Sequence, residues 1–136
     1  MTDFTAVTFR CDKKLYAFKT DVLKEINTKS KITFVPSLPK CISGVINLMG
    51  DVIPVIDLSV RLGFEKADYG ERSCLLIVEN ASGTAAVRVE EVLTSVICGD
   101  ENYIEFPEDS LAYGVIKDKD NSITLLDSEE ILRIEV

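Results

Sequence analysis

The sequence predicts an all-β, barrel-like fold. Short apolar runs alternate with turn-forming residues along the whole chain of 136 residues. Almost no segment carries the periodicity of a helix of ten residues or more. Two strand–turn–strand segments, each followed by an aspartate, also recur 70 residues apart. Many short strands separated by turns are typical of small barrels and sandwiches.

The first elements are strand-like. Residues 4–9 alternate apolar and small polar side chains, residues 12–13 form a turn, and residues 15–18 return as a second strand. Residues 21–26 fit either a helical turn or an irregular strand. Residues 32–35 are predicted to be a strand, which ends because proline follows.

A central hairpin is the clearest local prediction. Two β-type runs, 42–49 and 52–57, meet at the Gly-Asp dipeptide 50–51, where glycine permits a tight turn. Asp57 can cap a short helix by accepting from its first N–H groups. Gly63 can adopt a left-handed conformation after the last turn of that helix.

The second half begins after a charged segment. Residues 65–72 are the best linker candidate, and the near-continuous apolar run 74–78 predicts a strand buried on both faces. A turn then leads to a strand over residues 85–89. The acidic stretch 100–109 predicts an exposed loop.

The chain ends in a second hairpin and a short helix. Residues 111–116 and 123–126 are the predicted strands, and Asp127 opens the helix. Because this hairpin matches the central one at a constant offset of 70, we predict an approximate internal repeat of residues 1–66 and 71–136 within a single domain. Such a repeat implies two similar β-subdomains. The alternative is that the two halves match only because any strand-rich chain aligns apolar residues with apolar residues. Strands could also cross between the subdomains.

Composition excludes several function classes. The net charge is −8, and it divides into +2 for residues 1–68 and −10 for residues 69–136. Such a surface repels phosphate backbones, so we expect no nucleic-acid binding. No apolar run approaches the ~20 residues that span a bilayer, and the N-terminus lacks a signal-peptide pattern. We therefore expect a cytoplasmic protein with no direct membrane insertion.

Catalytic and metal-binding patterns are missing from the sequence. The chain has no histidine, and its four cysteines are too widely spaced for a typical zinc site; three of them lie in apolar strand contexts. The acidic pairs 90–91 and 129–130 are typical of solvated faces, and Asp57 and Asp127 fit helix caps. These absences leave enzyme activity unsupported without excluding it, and we expect no metal or cofactor.

Residues 41–64 resemble the core motif of CheW-like domains, the adaptors of bacterial chemotaxis. The family pattern runs roughly G-V-I-N-L-R-G-x-V-I-P-V-I-D-L, and this chain matches it except that Met49 stands where arginine is usual. The segments 22–26, 35–39, 86–92 and 123–132 resemble other family segments in the same order. The resemblance therefore covers essentially the whole chain.

The resemblance implies two five-stranded SH3-like barrels with short helices and a shared hydrophobic junction. It also implies a non-enzymatic adaptor that couples the cytoplasmic tips of methyl-accepting chemoreceptors to the regulatory domain of a CheA-type histidine kinase and supports receptor arrays. In that family the receptor's helical hairpin docks in the groove between the barrels. The protein would then lie at the inner membrane through its receptors.

Seven residues are the candidates for the receptor or kinase interface that the resemblance implies. They are Leu23, Glu25, Ile26, Asn47, Leu48, Met49 and Gly50. Leu23 and Ile26 fit the core equally well, whereas Glu25 has no obvious partner within the chain. Since Met49 replaces a residue that forms charge-assisted hydrogen bonds, a diverged scaffold of another two-component pathway is the alternative. A small enzyme using clustered carboxylates is a remote third.

Overall fold

The computed structural model describes residues 3–107 and 110–134. This part of the chain forms eleven β-strands and two short α-helices. In chain order they are β1 (Phe4–Cys11), β2 (Lys14–Lys19), β3 (Leu23–Asn27), β4 (Ile42–Leu48), β5 (Asp51–Asp57), α1 (Leu58–Arg61), β6 (Cys74–Asn80), β7 (Gly83–Val89), β8 (Glu91–Cys98), β9 (Tyr103–Glu105), β10 (Ala112–Asp118), β11 (Asn121–Leu126) and α2 (Ser128–Leu132). The prediction of an all-β fold is confirmed.

The strands form two sheets, and each sheet mixes strands from both halves of the chain. One has six strands in the order β8-β1-β2-β11-β10-β9, and the other has five in the order β3-β6-β7-β5-β4. The first hairpin, β1–β2, joins the C-terminal strands through a parallel pairing of β2 with β11. Likewise, β7 pairs in parallel with β5. One sheet has the predicted five strands, and the short β9 is the sixth strand of the other.

The two strand orders correspond under the offset seen in the sequence. Shifting β4 by 70 residues gives the bounds of β10, and the pair β1–β2 occupies the same place in its sheet as β6–β7 does in the other. Strands of the two halves of the chain therefore share each sheet, the alternative that the sequence left open. The internal repeat itself stays a prediction.

The largest group of buried side chains lies between the two sheets. It joins the aromatic rings of β1 and β2 to strands β6 and β7 and to both helices: Phe9, Tyr16, Phe18, Leu58, Leu76, Val78, Val87, Val89, Leu126 and Ile131 are among its members. Each sheet also has an apolar cluster of its own. Fully burying one such side chain contributes about 1.5–3 kcal/mol, so this junction fixes the sheets against each other.

Local predictions that rest on helix caps and on buried cysteines are confirmed. The Asp57 carboxylate accepts from the Val60 N–H at 3.4 Å, and that of Asp127 accepts from the Glu129 N–H at 3.0 Å. Gly63 has φ +95° directly after α1, as the left-handed prediction requires. Cys11, Cys74 and Cys98 are buried, as the apolar contexts of three cysteines predicted.

Predictions that depend on distant partners are partly wrong. Residues 32–35 form no strand; Thr33 makes one isolated bridge to Val45, and the left-handed backbone at Ser37 turns the chain away. The acidic stretch 100–109 is not a simple loop, because Tyr103–Glu105 pairs with β10 as strand β9. Glu108 and Asp109 of that stretch lie outside the described residues.

The ambiguous segment 21–26 contains both alternatives. A 3-10 turn covers Thr20–Val22, and strand β3 follows at once from Leu23. Strand β8 was not predicted, because Glu91 at its start and the polar pair 94–95 in its middle hide its alternation. The segment forms a strand because it pairs antiparallel with β1, a distant partner that the local sequence does not indicate.

Candidate partner-binding surface

The tip of the central hairpin is a two-residue loop. Leu48 pairs with Asp51, so Met49 and Gly50 form the turn, one residue earlier than the predicted 50–51. Their φ angles are +53° and +93°, the arrangement of a type I′ turn that matches the twist of the strands. The Asn47 side-chain oxygen accepts from the Gly50 N–H at 3.0 Å. The polar group of Asn47 is thereby satisfied within the hairpin.

Met49 is the most exposed apolar side chain at this tip. Its side chain is 97% exposed. A left-handed conformation is unfavourable for a residue with a Cβ, by roughly 1–2 kcal/mol. Met49 therefore occupies a strained position without burying its side chain in this chain.

Strand β3 provides the other candidate residues. It lies at the edge of the five-stranded sheet, where Glu25 pairs with Ile77 and Ile26 with Leu76. Leu23 is half-buried and packs against the junction between the sheets, so it belongs mainly to the core. Ile26 is exposed. Of these three residues, Glu25 is the one that reaches the groove described next.

A groove lies between β3 and the tip of the central hairpin, and we call it the hairpin groove. Its volume is about 430 Å³. It is lined by Lys24, Glu25, Leu48, Met49, Asp51, Val52, Ile53, Glu79 and Thr84. The groove thus brings Glu25 together with Leu48 and Met49, which lie more than 20 residues further along the chain.

The hairpin groove combines apolar and charged walls. Val52 is 69% exposed beside the exposed Met49. Lys24 forms an ion pair with Glu79 at 3.3 Å, and both side chains are more than half exposed. Such an exposed pair contributes little to stability, so it can rearrange for a partner. With Glu25 and Asp51, the charged lining carries one positive and three negative groups.

Sequence reasoning missed several residues of this groove. Val52, Asp51 and Glu79 were not candidates. For Val52 a signal existed, since strict alternation along β5 turns Ile53 and Val55 inward and Val52 outward. No comparable signal existed for Glu79, because β6 reaches the groove through its pairing with β3. Ile26, Asn47 and Gly50 do not line the groove.

Asp57, the last residue of strand β5, is buried and forms a hydrogen-bond network with residues of the segment that follows α1. The Tyr69 hydroxyl donates to its carboxylate at 2.5 Å, and the Arg88 guanidinium lies 4.2 Å from the Tyr69 ring centre. Burial, and then the hydrogen bond to Asp57, raise the pKa of the Tyr69 hydroxyl. This network holds the charged segment 65–72 against the sheet, so that segment is not a free linker.

The acidic pair 90–91 is not the solvated face that was predicted. Glu91 accepts from Arg72 at 2.8 Å and also from Arg10. The hydrogen bond from Arg72 above all, and then the charge of Arg10, lower the pKa of the Glu91 carboxyl. Glu90 accepts from the backbone N–H of Asp12. Both carboxylates therefore tie β1 to the start of β8. Of the pair 129–130, Glu129 is exposed, as predicted, whereas Glu130 is half-buried and accepts from the Arg133 side chain at 2.5 Å.

The described residues offer no assembled catalytic or metal centre. Asp57 is the one buried charged side chain in this part of the chain, and it is engaged by Val60 and Tyr69. No group of three or more Cys, Asp or Glu in residues 3–107 and 110–134 could hold a metal ion. No helix over the same residues is both long and apolar enough to cross a bilayer.

Comparison with known proteins gives a consistent result. Residues 5–136 match the CheW-like domain family. The chain is 34% identical over 124 residues to Chemotaxis protein CheW of Bacillus subtilis, covering 91% of this chain and 76% of that protein. It is 28% identical over 137 residues to Chemotaxis protein CheW of Thermotoga maritima, covering 97% and 89%. The crystal structure of the scaffolding protein TtCheW from Thermoanaerobacter tengcongensis aligns with a TM-score of 0.84 at 27% identity, covering 93% of this chain and 90% of that one.

Proposed function

The chain belongs to the CheW-like domain family, and from that premise we propose that it joins the cytoplasmic tips of methyl-accepting chemoreceptors to a CheA-type histidine kinase. It is a chemotaxis adaptor, as the relatives named Chemotaxis protein CheW and the TtCheW scaffold indicate. The choice of partners and the residues that contact them are our proposal. Diversion to another two-component pathway is not favoured, because the matched proteins named above are chemotaxis proteins.

The hairpin groove is the observation that carries the proposed receptor contact. Its apolar residues Met49 and Val52 are exposed, although burial would be favourable for both. An amphipathic helix can bury such a pair with one apolar stripe, and each side chain then contributes about 1.5–3 kcal/mol at full burial. We propose that a receptor helix lies in this groove, with Glu25 on its polar side. The hairpin groove is lined by the five-stranded sheet alone, so it is not the groove between the barrels that the resemblance implied.

A second surface must serve the kinase. Since an adaptor couples its partners by touching both at once, the kinase regulatory domain should bind away from the hairpin groove. The acidic second half and the edge strands of the six-stranded sheet are candidates for that contact. We further propose that the chain has no enzyme activity and acts in the cytoplasm, held at the inner membrane by its receptors.

A titration with a soluble receptor fragment tests the receptor contact. The fragment contains the helical hairpin of the cytoplasmic tip, and binding is followed by isothermal titration calorimetry. Val52→Asp should weaken binding roughly tenfold, since it adds a fourth negative charge and removes apolar contact. Ile104→Asp is the matched control, because Ile104 is also exposed on a strand but belongs to the other sheet.

The two variants separate the possible results. Loss of binding in Val52→Asp alone supports the groove. Equal weakening in both variants would indicate a general charge effect, and unchanged affinity in Val52→Asp would refute the proposed contact. A folded state for each variant is confirmed by its thermal unfolding curve.

A further inference from the structure

Strand β8 is an edge strand of the six-stranded sheet. It pairs with β1 on one side, and among the described strands none pairs with it on the other. Residues 92–98, Val-Leu-Thr-Ser-Val-Ile-Cys, contain no charge, proline or glycine. An uncharged edge strand of this length is a template for pairing with another strand.

The other three sheet edges are protected in recognised ways. Strand β9 has only three residues, and β3 carries Lys24 and Glu25. Strand β4 is partly covered by the bridge from Thr33 to Val45. Charges, short length and coverage by a loop all discourage pairing with another chain. Residues 92–98 of β8 carry no charge, and the strand is not short; a β-bulge at Leu93–Thr94 opposite Thr8 and the Asn102 side chain on the Ile97 carbonyl are its only irregularities among the described residues.

The backbone of β8 shows which residues would pair. The Thr8 hydroxyl on β1 donates to the backbone carbonyl of Thr94 and accepts from its backbone N–H, so both backbone groups of Thr94 face β1. From Ser95 to Cys98 the register with β1 is regular, so alternation turns the backbone groups of Ser95 and Ile97 toward the open side, whereas Leu93 lies in a β-bulge opposite Thr8. Of these, the Ile97 carbonyl accepts from the Asn102 side chain at 3.1 Å. Ile97 is 71% exposed, and Leu93 and Ser95 are exposed as well.

We propose that the open edge of β8 pairs antiparallel with β8 of a second copy of this chain. With a two-fold axis at Ser95, Leu93 lies opposite Ile97 of the second copy and Thr94 lies opposite Val96. Apolar side chains then meet across the axis, and no like charges face each other within residues 91–99; Glu90 and Asp100 come opposite each other just beyond the strand. The nearest charge on the strand, Glu91, falls opposite Gly99.

We assign the partner strand to a second copy of the chain because the uncharged edge of β8 is complementary to itself. A strand that fits here must be uncharged over about seven residues, and residues 92–98 of β8 provide that pattern themselves. Long-range repulsion opposes the dimer, since each copy carries a net charge of −8. Salt screens this repulsion, so dimerisation should strengthen as ionic strength rises. A pair of strands buries little surface, so the dimer is weak.

Sedimentation equilibrium with charge-reversed variants tests this pairing. The wild-type chain should form dimers at protein concentrations of roughly 0.1–1 mM, the range of a weak association. Ser95→Lys and Ser95→Glu each bring two like charges together at the axis, so each should lower the association constant roughly fivefold or more. A mixture of the two variants should restore dimers, because opposite charges then face each other.

Each outcome decides the proposal. Ser82→Lys is the control, since Ser82 is an exposed serine in the turn between β6 and β7 and should leave the dimer unchanged. A wild-type chain that stays monomeric at 1 mM in high salt, or a dimer that persists in both charged variants, would overturn the inference. Failure of the mixture to form dimers would also overturn it, because the axis would not pass through Ser95. None of these results depends on receptor binding, so they are separate from the test of the hairpin groove.

Discussion

Replacing Met49 with asparagine should stabilise the protein while it weakens receptor binding. Met49 has φ +53° in the type I′ turn, where asparagine is favoured over methionine. Its side chain is 97% exposed, so its removal sacrifices almost no packing within the chain. Of the roughly 1–2 kcal/mol of left-handed strain, asparagine should recover about 0.5–1 kcal/mol.

Two assays measure the two effects. Thermal unfolding should show a Tm raised by about 3 °C, the shift that corresponds to this free energy in a chain of this size. Calorimetric titration with the receptor fragment should show an affinity about tenfold lower, because a Met side chain that is buried on binding contributes about 1.5–3 kcal/mol.

Lys119→Asn is the matched control for this prediction. Lys119 has φ +56° at the equivalent position of the β10–β11 hairpin, which lies outside the hairpin groove. It should raise the Tm similarly and leave receptor affinity unchanged. A lower Tm in Met49→Asn would refute the strain argument, and an unchanged affinity would remove Met49 from the interface.

Three further predictions follow from buried groups. Gly44→Ala should lower the free energy of unfolding in urea by about 2–3 kcal/mol, because the added Cβ would lie closer than 3.0 Å to a backbone carbonyl. Gly70→Ala is the control and should be nearly neutral, since no atom lies within 4 Å of the Cβ that it adds. Tyr69→Phe should cost about 1–3 kcal/mol by removing a donor from the buried Asp57 carboxylate; an unchanged urea midpoint would contradict that network. Burial above all raises the pKa of the Cys11 thiol from 9.0 to about 12. The unfolded chain therefore loses this proton at a lower pH than the folded chain, and the free energy of unfolding should fall as pH rises above about 9. The urea midpoint, measured from pH 8 to 10.5, should fall less steeply with pH in Cys11→Ala than in the wild type.

Features that depend on neighbouring residues could be predicted from the sequence. The central hairpin, the caps at Asp57 and Asp127 and the left-handed Gly63 each depend on side chains within a few positions. The two residues of the hairpin turn were predicted wrongly, because glycine is accepted at either position of a two-residue loop and Gly50 therefore fits both 49–50 and 50–51. Pairing of Leu48 with Asp51 decides it.

Features that depend on distant strands required the structure. Pairing with β1 orders β8, and pairing with β10 orders β9, although both segments look irregular in sequence. The hairpin groove could be predicted only in part, from Glu25, Leu48 and Met49. Val52 and Glu79 enter it through the arrangement of β3, β5 and β6, which no local pattern reports.

Kinase activity in receptor-containing membranes tests the proposed coupling most directly. The chain is mixed with chemoreceptor membranes and a CheA-type kinase, the membranes are sedimented, and both the bound protein and phosphate transfer are measured. We expect the wild-type chain to sediment with the membranes and to make kinase activity respond to the receptors, and we expect Val52→Asp to lose both effects. Phe34→Asp should keep both, because Phe34 is exposed but lies outside the hairpin groove and outside the proposed kinase surface. A wild-type chain that stays in the supernatant, or one that sediments without any change in kinase activity, would contradict its proposed role as the coupling adaptor.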